Sequence, residues 1–170
     1  NIKNSTLSHK AWSDISLAIA IALRSKPIKE SCMFVDDIVV EQYMSDSKAS
    51  KSPANALLTG EVFATQVVRH GYRYTETKSQ LKDEAKLKKL SLIAEHATVV
   101  KSLKTGLAKG KSLGEGINLA RELGNLPGNI CTPSYLANQA KTLAAQSSKL
   151  KVKILTEAQM KKLGMGSLLS

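Results

Sequence analysis

The chain has 170 residues, 42% of them hydrophobic, which is enough apolar content for a folded core and too much for a disordered chain. Only 4% are aromatic, so Leu, Ile, Val and Ala have to fill the interior. A surplus of 25 Lys and Arg over 14 Asp and Glu leaves a formal charge of +11, a field that could attract nucleic acid or anionic surfaces, although the lysines are dispersed and interleaved with acids as on an ordinary solvated surface.

Trp12, Ile15, Ile19 and Ala22-Leu23 recur at helical spacing and predict an amphipathic helix over 9–24, ended by Lys26-Pro27. Cys32-Met33-Phe34-Val35 is a continuous apolar run, the pattern of a strand buried on both faces in a parallel sheet. Ile38-Val39-Val40 extends it or forms a second short strand, and 44–52 is polar loop. Ser52-Pro53 opens a helix to about His70, with Leu57, Glu61, Ala64 and Val68 along one stripe and Gly71 as its stop. Residues 72–86 are polar and charged, and Leu90-Ser91-Leu92-Ile93-Ala94 reads as another strand.

From 98 to 124 the pattern is helical again, with Val99, Leu103, Leu113, Ile117 and Ala120 in period. Gly106, Gly110 and Gly114 fall four apart on nearly one side. Glycine costs about 1 kcal/mol against alanine inside a helix, so three in register call for a reason. Either another backbone packs close, or the helix kinks or breaks into a helix–loop–helix around Gly110. Thr132-Pro133 caps and opens a further helix to about Gln146. Leu150, Val152 and Ile154 alternate with Lys149, Lys151 and Lys153, which predicts a strand over 150–155 that begins a second sheet. Thr156-Glu157-Ala158-Gln159 is a capping box, and the short helix it starts ends at Gly164. The order argues for an α/β class with mostly parallel strands and a boundary inside or just after the long helix.

Few residues point to chemistry. His9, His70 and His96 lie at no ligand spacing and read as surface or helix-end residues. Cys32 and Cys131 are far apart and have no Cys or His partner at metal spacing, which fits a reduced, cytoplasmic protein. No Gly-x-Ser-x-Gly elbow, P-loop or HExxH is present. Asp36-Asp37 at a predicted strand end could hold a cation or polar ligand, or simply be a hydrated strand end. Arg121 and Glu122 read as helix-surface residues. The densest basic stretch, 78–89, also carries Asp83 and Glu84 and holds no aromatic for base stacking. The longest apolar stretch, 15–23, is about half the ~20 residues of a spanning helix, so no membrane association is expected. Asn1-Ile2-Lys3 at the start and the apolar Leu168-Leu169-Ser170 at the end suggest a segment of a longer protein.

The stretch Asn125-Leu126-Pro127-Gly128-Asn129-Ile130-Cys131-Thr132-Pro133-Ser134-Tyr135-Leu136-Ala137 resembles the entry to the catalytic domain of leucyl aminopeptidases, the cytosolic dizinc or manganese family typified by bacterial aminopeptidase A. Asn125, Pro127, Asn129, Pro133 and Ala137 match the pattern Asn-x-Pro-x-Asn-x-x-x-Pro-x-x-x-Ala of that family. Gly116-Ile117-Asn118-Leu119-Ala120-Arg121-Glu122-Leu123 resembles the helix that leads in, and 152–166 the strand and helix that follow. The resemblance is close over 114–170, whereas 1–97 fits the smaller N-terminal domain of the family by element order alone.

The resemblance implies an architecture of three parts: a partial macro-like N-terminal α/β domain over 1–97, a linker helix over 98–126, and the beginning of a catalytic metallopeptidase domain over 127–170. Between them the prolines stiffen an elbow with a sheet expected on either side, and Asn125 and Asn129 are expected to bond to its backbone. It also implies a cytoplasmic, hexameric metal-dependent exopeptidase that removes leucine-like N-terminal residues from peptides. In that family two divalent ions, manganese or zinc, activate water and polarise the scissile carbonyl. The family's metal ligands and catalytic residues correspond to no position in 1–170. No catalytic, cofactor-binding or metal-binding residue is therefore assigned, and the segment alone is expected to bind no metal and to be inactive. A basic nucleic-acid-binding α/β module remains the alternative, followed by a ligand-binding domain using Asp36-Asp37.

Overall fold

A computed structural model of the chain describes residues 6–35, 39–40, 53–79 and 86–169. Asp36-Asp37, the loop 44–52 and the Ser52 cap lie outside the described residues. The order is β1 (Thr6–Leu7), α1 (His9–Ser25), β2 (Glu30–Phe34), β3 (Val39–Val40), α2 (Pro53–Gly71), β4 (Lys89–Ile93), α3 (Ala97–Asn125), α4 (Pro133–Ala145), α5 (Glu157–Lys162) and a 3₁₀ turn at Gly166–Leu168. This is a helix-dominated α/β fold. Both strand pairs are parallel: β1 with β3, and β2 with β4 in the register Glu30 to Lys89 through Phe34 to Ile93. Parallel pairing requires a crossover, and α2 supplies it between β2 and β4.

The chain divides into two compact units between Glu122 and Leu123. In the first, Ser8 caps α1 by accepting from the Ala11 amide at 3.2 Å. Trp12, Ser16, Ala20 and Leu23 form its buried stripe. Ile15, expected on that stripe, is 38% exposed, so the buried stripe runs through Ser16 instead. Trp12, Val62 and Phe63 make the main core, with Met33, Leu90, Leu92 and Leu107 packed around them. The Trp12 and Phe63 rings stack with centroids 6.1 Å apart. The Trp12 Nε1–H donates to the Thr59 carbonyl at 3.0 Å, so the indole is buried without an unmet donor. Val35, Ala56 and Leu103 form a second cluster.

The glycine series is resolved in favour of close packing. Helix α3 is continuous from Ala97 to Asn125, with no break at Gly110. A Cβ on Gly106 would overlap the Leu57 carbonyl, and one on Gly110 the Glu61 carbonyl. A Cβ on Gly114 would come within 2.7 Å of Val68 Cβ. From the facing side, a Cβ on Gly60 would lie 2.7 Å from the Leu103 carbonyl oxygen. Gly60, Gly106 and Gly110 thus let α2 and α3 touch backbone to backbone, and Gly114 makes room for the Val68 side chain. Thr65 Oγ1 reaches the Gly110 carbonyl at 3.3 Å, and Lys109 pairs with Glu61 at 2.9 Å along the same seam.

Two expectations are corrected. Strand β2 is not buried on both faces: its residues alternate, with Cys32 exposed and Phe34 50% exposed. The core clusters draw on Met33 on one face only, so the strand shows the period-2 pattern of a half-covered sheet. Residues 150–155 form no strand, and Leu150, Val152 and Ile154 are 53%, 42% and 40% exposed. An alternating pattern becomes a strand only where a neighbour accepts its ladder bonds, and among the described residues none does. The second unit therefore contains helices and turns but no sheet among its described residues, contrary to the expected sheet beyond the elbow.

Candidate functional site

The most organised polar constellation surrounds the C-terminal end of α2. The last carbonyls of a helix have no intrahelical partner and carry partial negative charge. Here three side chains satisfy them. Asn118 Nδ2 donates to the Val68 carbonyl at 2.8 Å, Arg121 Nη1 to the Arg69 carbonyl at 2.8 Å, and Arg24 Nη1 to the His70 carbonyl at 3.4 Å. The Arg121 guanidinium also lies over the Tyr72 ring, 4.3 Å from its centroid. The Tyr72 hydroxyl in turn donates to Glu122 Oε2 at 2.7 Å. Arg121 and Glu122 are thus not merely helix surface. Contacts fifty residues apart in sequence fix the end of α2 to α3, and no local pattern announces such a contact.

His70 sits among these cations. Burial of the imidazole lowers its pKa below the usual 6.5, and Arg69, Arg121 and Arg24 depress it further. Its Nε2 is buried without a hydrogen-bond partner. His9 and His96 are exposed elsewhere and do not join it. Among the described residues no group of three or more His, Cys, Asp or Glu is placed to hold a metal ion. The constellation positions two helices and contains no nucleophile–base pair.

Beyond α3 the chain makes its bend with backbone bonds. The Ile130 and Cys131 amides both donate to the Pro127 carbonyl at 2.9 Å, and the Thr132 amide donates to the Ile130 carbonyl at 2.8 Å. Leu126 is buried and Asn129 is exposed, and these backbone bonds to the Pro127 and Ile130 carbonyls close the turn. Thr132 then caps α4, its hydroxyl accepting from the Tyr135 amide at 3.3 Å, with Pro133 opening the helix. Cys131 is half-buried within the turn.

A family model described as the catalytic domain of the cytosol aminopeptidase family matches residues 118–170, beginning in the last turns of α3 and running through the bend. Over that stretch the chain is similar to the cytosol aminopeptidase family. It is 41% identical over 160 residues to a probable cytosol aminopeptidase of Saccharophagus degradans, covering 92% of this chain and 29% of that protein. To the probable cytosol aminopeptidase of Alkalilimnicola ehrlichii it is 51% identical over 100 residues, 58% of this chain and 20% of the relative. The chain thus spans under a third of the length of these relatives. In structure it is similar to a mutant (K354E) of tomato leucine aminopeptidase, with a TM-score of 0.71 over 95% of this chain and 30% of the other, at 24% identity. That likeness concerns the fold. Asn118, which holds the end of α2, is also the first residue of the family match.

Proposed function

We propose that this chain is the non-catalytic entry segment of a metal-dependent aminopeptidase that releases leucine-like N-terminal residues from peptides. On this reading 1–97 is part of the N-terminal domain, 98–126 the linker helix and 127–170 the beginning of the catalytic domain. The observation that carries it is the unbroken family match from Asn118 through the proline bend, with Asn125, Pro127, Asn129, Pro133 and Ala137 in the family's pattern. The second unit supports it: Leu163 and Leu168 are each 64% exposed, as expected of a segment whose apolar side chains are covered by the rest of a larger domain. No group of three or more His, Cys, Asp or Glu among the described residues is placed to hold a metal ion; on this reading the two manganese or zinc ions would be held by residues outside 1–170. A cytoplasmic location and a hexameric assembly belong to the same proposal. The names of the relatives as cytosol aminopeptidases support the location, and no helix of the described residues is long and apolar enough to cross a membrane.

The test is hydrolysis of a leucyl anilide with added manganese. The 170-residue chain alone is expected to give no rate above background, while a protein in which it runs on into a complete catalytic domain gives metal-dependent release. Turnover by the chain alone refutes its non-catalytic role, and failure of the complete protein refutes the activity. The charge of +11 favours a second reading, a basic nucleic-acid-binding module. Tight duplex binding with a steep salt dependence would support that reading, and weak nonspecific binding would count against it.

A further inference from the structure

Near the C-terminal turns of α1 and α2, beside the segment that leads into β4, lies a cleft of about 200 Å³ partly open to solvent. Its apolar wall comes from Leu23 of α1, Val67 of α2 and Leu87. Its charged lining consists of Arg24, Arg73 and Lys86, with no Asp or Glu among the described lining residues. All of these precede residue 118, so the site is separate from the family-matched segment.

Three cations around an aliphatic pocket repel one another unless an anion joins them. Neither Arg73 nor Lys86 takes part in an ion pair among the described residues. Arg24 spends one Nη1–H on the His70 carbonyl at 3.4 Å, a long bond for that donor. The Nε of Arg73 is buried with no hydrogen-bond partner. A buried guanidinium N–H without an acceptor costs free energy that a bound oxygen would recover. The planar guanidinium fork matches a planar carboxylate, and the partly desolvated wall strengthens that pairing.

We propose that this cleft binds an aliphatic carboxylate, its tail against Leu23, Val67 and Leu87 and its head on the Arg73 guanidinium. Arg24 and Lys86 supply further positive charge at the mouth. A zwitterionic amino acid is a poor fit, because its ammonium would sit among the three cations.

The experiment is titration of the isotope-labelled 170-residue chain with octanoate, followed by amide NMR shifts. Saturable shifts are expected at Leu23, Val67, Gly71 and Leu87. Octanol, which keeps the tail and loses the charge, and octylamine, which reverses the charge, should each bind at least about tenfold more weakly, the loss expected for one charge-assisted hydrogen bond. Arg73→Met should weaken octanoate by a similar factor while leaving the amide dispersion intact. Lys86→Met, on an exposed residue outside the helices, should weaken it several-fold and serves if the first variant does not fold. The proposal is overturned if octanol binds as well as octanoate, if the shifts fall away from these residues or do not saturate, or if a folded variant binds like the parent.

Discussion

At Gly110 a single hydrogen in place of a methyl group decides how near two helices can come, since a Cβ there would overlap the Glu61 carbonyl and lie 2.9 Å from Ala64 Cβ. Gly110→Ala is therefore expected to lower stability by about 1–3 kcal/mol, the cost of forcing packed backbones apart. Gly116 lies on the same helix with nothing within 4 Å of the added atom. Gly116→Ala should raise stability by up to about 1 kcal/mol through helix propensity alone. Urea midpoints of the two variants should move in opposite directions, and equal shifts would contradict the seam. His70 gives the second residue-scale prediction. Its folded pKa lies below its unfolded value, so the unfolded chain binds the proton more readily. The contribution of His70 is fully present above pH ~6.5, the unfolded value, and is lost as the pH falls through that value towards the folded pKa. Unfolding curves at pH 7.5 and 5.5 should show this loss, and His70→Gln should remove the part that His70 contributes.

Among the elements, α4 depends most visibly on its first residue. None of its side chains is fully buried, so capping carries a large share of its local stability. Thr132→Ala should cost about 1 kcal/mol, read as faster amide exchange in the first turns of α4 with α1 and α2 unaffected. Helix α5 carries the reciprocal version, with the Thr156 amide donating to Gln159 Oε1 at 2.9 Å and the Gln159 amide donating back to Thr156 Oγ1 at 3.4 Å. Both caps were legible because a cap uses residues within one turn. The strand expected over 150–155 was not realised, because its partner would have to come from elsewhere in space.

At the scale of the molecule the two units differ in how much they bury. Trp12, Phe63, Thr59 and Ser16 are fully enclosed in the first unit, whereas α4 and α5 contain no buried residue. Amide exchange should therefore be slow in α1, α2 and the middle of α3 and much faster in α4 and α5. Uniform protection along the chain would show that the second unit is stable by itself.

Helix positions, the caps at Thr132 and Thr156, the parallel pairing class and the proline bend follow from the order of residues, because periodicity, capping and φ restriction act over a few neighbours. The motif around Asn125 and Pro133 likewise pointed to the aminopeptidase family before any fold was in view. Tertiary structure alone decided what the glycines at 106, 110 and 114 do, since their meaning lies in the carbonyls of Leu57 and Glu61 on another helix. It decided as well that Arg24, Asn118 and Arg121 close the end of α2, and that β2 is covered on one face only. Those features arise from contacts between residues some fifty positions apart, and local propensity carries no information about which distant partner arrives.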